Sequence, residues 1–142
     1  MTALFEHSPW VEARADAAPS SGDRYADLMA VVHAATPDEQ LALIRAHPEL
    51  AEKVKLTDAS AAEQATAGLD QLSEAEYARF HRLNAAYRER FAFPFIICVR
   101  LTDKTGILTA MEERLNNDRE GEIATALAEI GRITRLRLEP TP

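Results

Sequence analysis

The apolar and polar positions near the end of the chain repeat with the period of an amphipathic helix. At about 100° per residue, one mostly apolar face collects five positions, namely Ile123, Leu127, Ile130, Thr134 and Arg137. Arg132 and Arg135 point away from that face. The pattern predicts a helix over 119–138 that carries one charged side chain, Arg137, on its inward side.

Signals for helix N-termini divide the rest of the chain. Residue types that cap helices occur at Ser8-Pro9, Asp23, Thr36-Pro37, Ser60, Ser73, Thr105 and Asp118. Glutamates follow at capping-box spacing in the pairs Thr36 with Glu39, Ser60 with Glu63, and Ser73 with Glu76. These signals predict helices over 9–17, 24–35, 37–46, 61–67, 74–91, 106–116 and 119–138. Short connections favour a compact all-α bundle of about seven to eight helices.

The run FPFIICV at 93–99 departs from the helical pattern because it is apolar throughout. A short continuous apolar run is typical of a buried strand, but a single strand has no neighbour to satisfy its backbone. We therefore expect a buried helical or extended segment through the core.

Composition agrees with one helical domain over 1–142, since Ala, Leu, Glu and Arg dominate and only 5 glycines occur. The net charge of −7 argues against nucleic-acid binding. No apolar run is long enough to span a membrane, and the N-terminus lacks a targeting pattern. With Cys98 as the single cysteine, no internal disulfide can form, and we expect a cytoplasmic protein without a membrane partner.

Metal and nucleotide chemistry are not indicated. The histidines lack metal-ligand spacing, one cysteine cannot build a zinc cluster, and no glycine-rich turn follows a strand. Cys98 lies in an apolar setting that is expected to raise its pKa and keep the thiol unreactive. We therefore expect side chains alone to perform any chemistry, with no metal and no cofactor.

Three polar residues each allow more than one interpretation. His47 precedes Pro48, which ends a helix there, so its ring either transfers protons or only interacts with the helix dipole. Arg137 either forms an ion pair, binds a substrate anion or extends to solvent. Glu63 either closes the capping box of Ser60 or takes part in acid–base chemistry.

Six pieces of the chain, in this order and spacing, resemble the 2-oxo-4-hydroxy-4-carboxy-5-ureidoimidazoline (OHCU) decarboxylase family. They are LFEHSPWV at 4–11, LIRAHPELA at 43–51, SAAEQATAGL at 60–69, LNAAYRERF at 83–91, FPFI at 93–96 and EIGRITRLRL at 129–138. The resemblance implies an all-helical, cofactor-free and usually dimeric enzyme that converts OHCU from urate breakdown into S-allantoin.

The resemblance also implies roles for particular residues. His47 and Glu63 match the catalytic histidine and glutamate of the family, and Arg137 matches its substrate-binding arginine. The implied substrate-binding residues are Pro48, Ser60, Ala61, Ala62, Gln64, Phe95, Ile96, Ile97, Cys98 and Val99. The implied partners are the small-molecule substrate OHCU and a second copy of the chain.

Two departures from the family pattern are visible. The 52–59 connection is shorter than usual, and Ala92 stands where glycine is common, which requires that the backbone there not adopt positive φ. We expect activity to survive both. The alternatives are a non-enzymatic helical binding module and a decarboxylase of a related carboxylated ring. The module is favoured if His47, Glu63 and Arg137 do not share a cavity.

Overall fold

The computed structural model describes residues 4–5, 8–47, 50, 62–65, 68–69 and 71–139. Its helices are α1 (Trp10–Ala17), α2 (Arg24–Ala34), α3 (Pro37–Arg45), α4 (Glu74–Phe91), α5 (Lys104–Arg114) and α6 (Arg119–Leu138). Residues 62–65 are also helical, and a 3₁₀ turn covers Val99–Leu101. No β-strand occurs in these residues, and the all-α prediction is confirmed.

Local capping chemistry explains where most helices begin. The side chains of Asp23 and Asp118 accept hydrogen bonds from backbone N–H groups of α2 and α6. Both halves of the capping boxes at Thr36 and Ser73 are present. Each such cap stabilises its helix by ~0.5–2 kcal/mol. The third predicted box includes Ser60, which lies outside the described residues.

Two predicted helix starts need correction. α5 begins at Lys104, and its cap is Asp103, whose carboxylate accepts from the Gly106 N–H at 2.8 Å. Thr105 therefore lies inside the first turn, because the aspartate two residues earlier already satisfies the exposed N–H groups. α1 begins after Pro9, which provides no side-chain cap.

The apolar run predicted to cross the core does so in extended form. Residues 94–98 have no helical or strand assignment, the Cys98 backbone is extended with φ of −76° and ψ of 96°, and Phe95, Ile96 and Cys98 are buried. The aromatic rings of Tyr87, Phe91, Phe93 and Phe95 pack together beside this segment. Burying such rings supplies much of the hydrophobic stabilisation of this end of the bundle.

Ala92 ends α4 in the left-handed conformation, with φ of 65°. The expectation that the backbone there does not need positive φ is therefore wrong. The physical reason is that a left-handed residue commonly ends an α-helix: the Ala92 N–H still bonds to the Arg88 carbonyl at 2.8 Å, and Phe91 and Phe93 on either side are both buried. A residue with a Cβ pays roughly 1–2 kcal/mol for that conformation, and glycine does not.

The long helix α6 organises the site. It packs against α2 and α3, and the absence of a side chain at Gly131 permits close approach to Met29 and Tyr25 of α2. The inward face predicted from periodicity is confirmed, since Leu127, Ile130 and Thr134 are buried. The C-terminal ends of α3 and α6 are thereby part of one packed unit.

Candidate active site

A cleft lies between the end of α3, the 62–65 segment, the extended segment and the last turns of α6. The empty space in the cleft, taken together with the open solvent at its mouth, is about 440 Å³. Its lining combines apolar side chains with a few polar ones: His47, Leu50, Glu63, Gln64, Phe95, Ile96, Ile97, Cys98, Val99, Arg100, Ile133 and Arg137. Such a surface suits a small ligand that carries several polar groups.

His47 reaches the cleft because α3 stops two residues before it. The helix ends at Arg45, and the His47 ring is mostly buried, with its Nδ1 atom 3.0 Å from the Leu43 carbonyl oxygen. A carbonyl oxygen only accepts, so Nδ1 carries the proton that it donates. In the neutral ring Nε2 is then the basic nitrogen, which is the form that can accept a proton.

Glu63 and Arg137 form a two-pronged ion pair at the cleft. The Arg137 Nε donates to Glu63 Oε2 at 3.0 Å, and Nη2 donates to Oε1 at 2.7 Å. Arg137 Nη1 also points to the Leu4 carbonyl at 3.4 Å. Parallel N–H···O bonds of this kind are among the strongest in proteins, so the pair fixes the orientation of the carboxylate. Of the interpretations left open for Arg137, the structure shows the ion pair.

The structure brings most of the expected site residues together. His47, Glu63 and Arg137 line the same cleft, as do Gln64 and the five residues from Phe95 to Val99. Ala62 is exposed and is not part of the lining. Pro48, Ser60 and Ala61 lie outside the described residues.

Three lining residues were not anticipated from the sequence, namely Leu50, Arg100 and Ile133. Ile133 lies one helical turn before Arg137, so the i, i+4 spacing on α6 could have identified it. Arg100 directly follows Val99 and Leu50 lies two residues after Pro48, but no periodicity distinguishes them.

Cys98 lies in the cleft wall with an inert thiol. Burial raises the pKa of the Cys98 thiol, and the nearby Glu129 carboxylate raises it further. A thiol in this state is a poor nucleophile, as its apolar sequence context predicted. No helix in the described parts of the chain is long and apolar enough to span a membrane.

Fold and cleft together define an all-α protein with a histidine, a carboxylate and a guanidinium at one small cavity. Residues 1–139 match the family model described as OHCU decarboxylase, and the chain belongs to that family. It is 46% identical over 138 residues to the 2-oxo-4-hydroxy-4-carboxy-5-ureidoimidazoline decarboxylase of Haloferax volcanii, covering 95% of this chain and 82% of that protein.

Two further relatives extend the comparison. The uric acid degradation bifunctional protein PucL of Bacillus subtilis is 42% identical over 138 residues, which are 95% of this chain and 28% of PucL. A crystal structure of (S)-allantoin synthase is similar with a TM-score of 0.70 and 31% identity, over 95% of this chain and 45% of that one. This chain therefore corresponds to one part of these longer proteins.

Proposed function

We propose that this protein is a carboxy-lyase that decarboxylates OHCU to S-allantoin in urate breakdown. The observation that carries the proposal is the convergence of His47, Glu63 and Arg137 on one cleft, in a chain of the OHCU decarboxylase family. That convergence favours an enzyme over a binding module that has lost these groups.

The substrate's own ring makes the reaction accessible to side chains. OHCU carries a hydroxyl and a carboxylate on the same ring carbon, and loss of carbon dioxide leaves an electron pair there. The pair delocalises into the neighbouring unsaturated carbon and nitrogen. The ring nitrogen takes up a proton, the hydroxyl loses its proton and becomes a carbonyl, and the neighbouring carbon takes up a proton and becomes chiral, so that one proton is consumed overall.

His47 and Glu63 are suited to the proton movements. With Nδ1–H held by the Leu43 carbonyl, Nε2 of His47 is the nitrogen that can accept the hydroxyl proton. The Glu63 carboxylate, oriented by Arg137, can accept a hydrogen bond from the same hydroxyl. Positioned acid–base groups typically contribute ~10²–10⁴-fold.

Orientation and charge stabilisation supply the rest of the acceleration. Arg137 contributes to both, because its guanidinium fixes Glu63 and places positive charge beside a substrate that carries a carboxylate and a hydroxyl. Gln64 and the 95–99 segment, with Pro48, Ser60 and Ala61 as the family resemblance implies, complete the proposed substrate-binding surface. No metal or cofactor is required for this scheme.

The stereochemistry of the product tests the proposal. Decarboxylation in solution is expected to give racemic allantoin, whereas an asymmetric cleft delivers the proton to one face. Circular dichroism of allantoin formed from freshly generated OHCU should show enrichment of the S form with the protein and none with buffer. Equal signals would exclude the proposed activity and favour the binding module.

We also propose a cytoplasmic homodimer. The support is the family resemblance and the presence of a single cysteine, Cys98, in the whole sequence. Light scattering on the purified protein should give about twice the chain mass of 15.7 kDa. A value near one chain mass would contradict the dimer.

A further inference from the structure

Residues 95–98 of the extended segment form one wall of the cleft, but they have no neighbouring strand within the described residues. An extended backbone presents N–H and C=O groups that need partners once they are buried. Side chains from two different helices provide partners for two of these groups, the Ile96 carbonyl and the Cys98 N–H.

The first partner is Arg114 of α5. Its Nη1 donates to the Ile96 carbonyl at 2.7 Å, and its guanidinium lies 4.3 Å from the centre of the Phe95 ring. The second partner is Glu129 of α6, whose Oε1 accepts from the Cys98 N–H at 2.9 Å.

These two bonds replace the hydrogen bonds of a sheet. In extended chains the backbone groups of alternate residues point to the same edge, so Ile96 and Cys98 are held along one side. Ile97, between them, is the residue of this segment that stays partly exposed at the cleft. Arg114 and Glu129 therefore set the position of the cleft wall.

Glu129 is itself firmly held. Its side chain is buried, and its second oxygen accepts from Arg132 Nη1 at 2.8 Å on the same helix. Arg137 lies two turns further along α6. One rigid helix thus fixes both the cleft wall, through Glu129, and the Glu63 carboxylate, through Arg137.

We propose that Glu129 is a positioning residue for the decarboxylation, acting through the Cys98 amide and the wall that contains it; this rests on the proposed function. A charged acceptor makes a short, strong bond to an N–H group. Without it the Cys98 amide is left unsatisfied, and the wall is free to shift relative to His47 and Glu63.

The test compares Glu129→Ala with Glu129→Gln, which keeps a side-chain oxygen for the Cys98 N–H. Glu120→Ala is the matched control, since Glu120 is an exposed glutamate on the same helix. Three measurements are made on each folded protein: kcat, KM, and hydrogen exchange of the Cys98 amide.

We expect Glu129→Ala to lower kcat/KM by ~10–100-fold, because small misplacements of reacting groups are costly. Its Cys98 amide should lose protection, and Glu129→Gln should restore most of both properties. Unchanged kcat and KM in folded Glu129→Ala would overturn the proposal. If that variant does not fold, Glu129→Gln decides: near wild-type kcat supports the proposal, and a large loss overturns it.

A wild-type protein without activity would contradict the proposed function and the catalytic role of Glu129 together. Amide exchange then separates the two ideas. Cys98 protection that is lost only in Glu129→Ala would still support the hold on the wall. Equal protection in all variants would overturn it.

Discussion

Among the described residues, two buried arginine–glutamate pairs differ in which partner is the more exposed. In the core, Arg114 Nε donates to Glu122 Oε1 at 2.8 Å, and the side chains are 11% and 0% exposed. At the cleft, the side chains of Arg137 and Glu63 are 3% and 13% exposed. The carboxylate is the closed partner in the first pair and the open one in the second.

The surroundings of Glu122 complete its isolation. Its carboxylate also accepts from the Tyr87 hydroxyl and from Asn117 Nδ2. Burial raises the pKa of Tyr87, and the hydrogen bond to Glu122 raises it further, so the phenol remains a donor. A carboxylate with every side occupied by protein serves folding, whereas Glu63 meets a cavity that a ligand can enter. Burial by itself therefore does not distinguish an ion pair that stabilises the fold from one that takes part in catalysis.

The largest effect on activity is expected at His47. This histidine lines the cleft together with the Glu63–Arg137 pair, whereas no histidine accompanies the Glu122–Arg114 pair among its contacts described above. His47→Asn should lower kcat by ~10²–10⁴-fold, because the proton acceptor is lost. The melting temperature should change little, since the Asn amide can still donate a hydrogen bond near Leu43. Steady-state kinetics and thermal melts check this. Retained specific activity with a large fall in melting temperature would make His47 structural.

The next test compares the two glutamates directly. Glu63→Gln and Glu122→Gln each remove one charge from a buried pair, and breaking such a pair costs up to ~3–5 kcal/mol. We expect both variants to be destabilised in urea unfolding. Only Glu63→Gln should also lose turnover per folded molecule, by ~10²-fold or more. Similar turnover losses in the two variants would remove the distinction between the pairs.

A smaller effect is expected on the guanidinium side of the cleft. Arg137→Lys keeps the charge but cannot form two parallel bonds to Glu63, so kcat/KM should fall by about tenfold or more. Arg135→Lys is the control, because Arg135 is exposed and lies over the Tyr25 ring, away from the cleft. Equal losses in the two variants would contradict the assignment of the inward face of α6.

The smallest effect is expected at Ala92, which belongs to neither ion pair and should affect only stability. Ala92→Gly removes the cost of a Cβ in the left-handed conformation and adds freedom to the unfolded chain. The net gain should be about 0.5–1 kcal/mol in the free energy of unfolding, with unchanged kcat. Urea unfolding measures the first and a steady-state assay the second. A loss of stability would show that the turn does not strain alanine.

The helices were predictable because their signals are local. Capping boxes act over three residues and the amphipathic repeat of α6 over a few turns, so neither needs knowledge of the rest of the fold. The start of α5 was misplaced for the same reason: Asp103 and Thr105 both fit a cap, and only the structure shows which side chain meets the Gly106 N–H. The positive φ of Ala92 was also missed, because it occurs between two rings, Phe91 and Phe93, whose burial depends on the packing of the whole core.

The sequence by itself determined an all-α protein, the inward direction of Arg137, and, through family resemblance, the candidates His47 and Glu63. Tertiary structure decided which groups meet. Glu63 and Arg137 are 74 residues apart in the sequence, and Glu129 and Cys98, whose N–H group donates to it, are 31 residues apart. The local pattern of apolar and polar residues cannot predict such partners, because the packing of α6 against the other segments determines which side chains meet. The same packing leaves the Glu63 carboxylate partly exposed at the cleft and buries the Glu122 carboxylate completely.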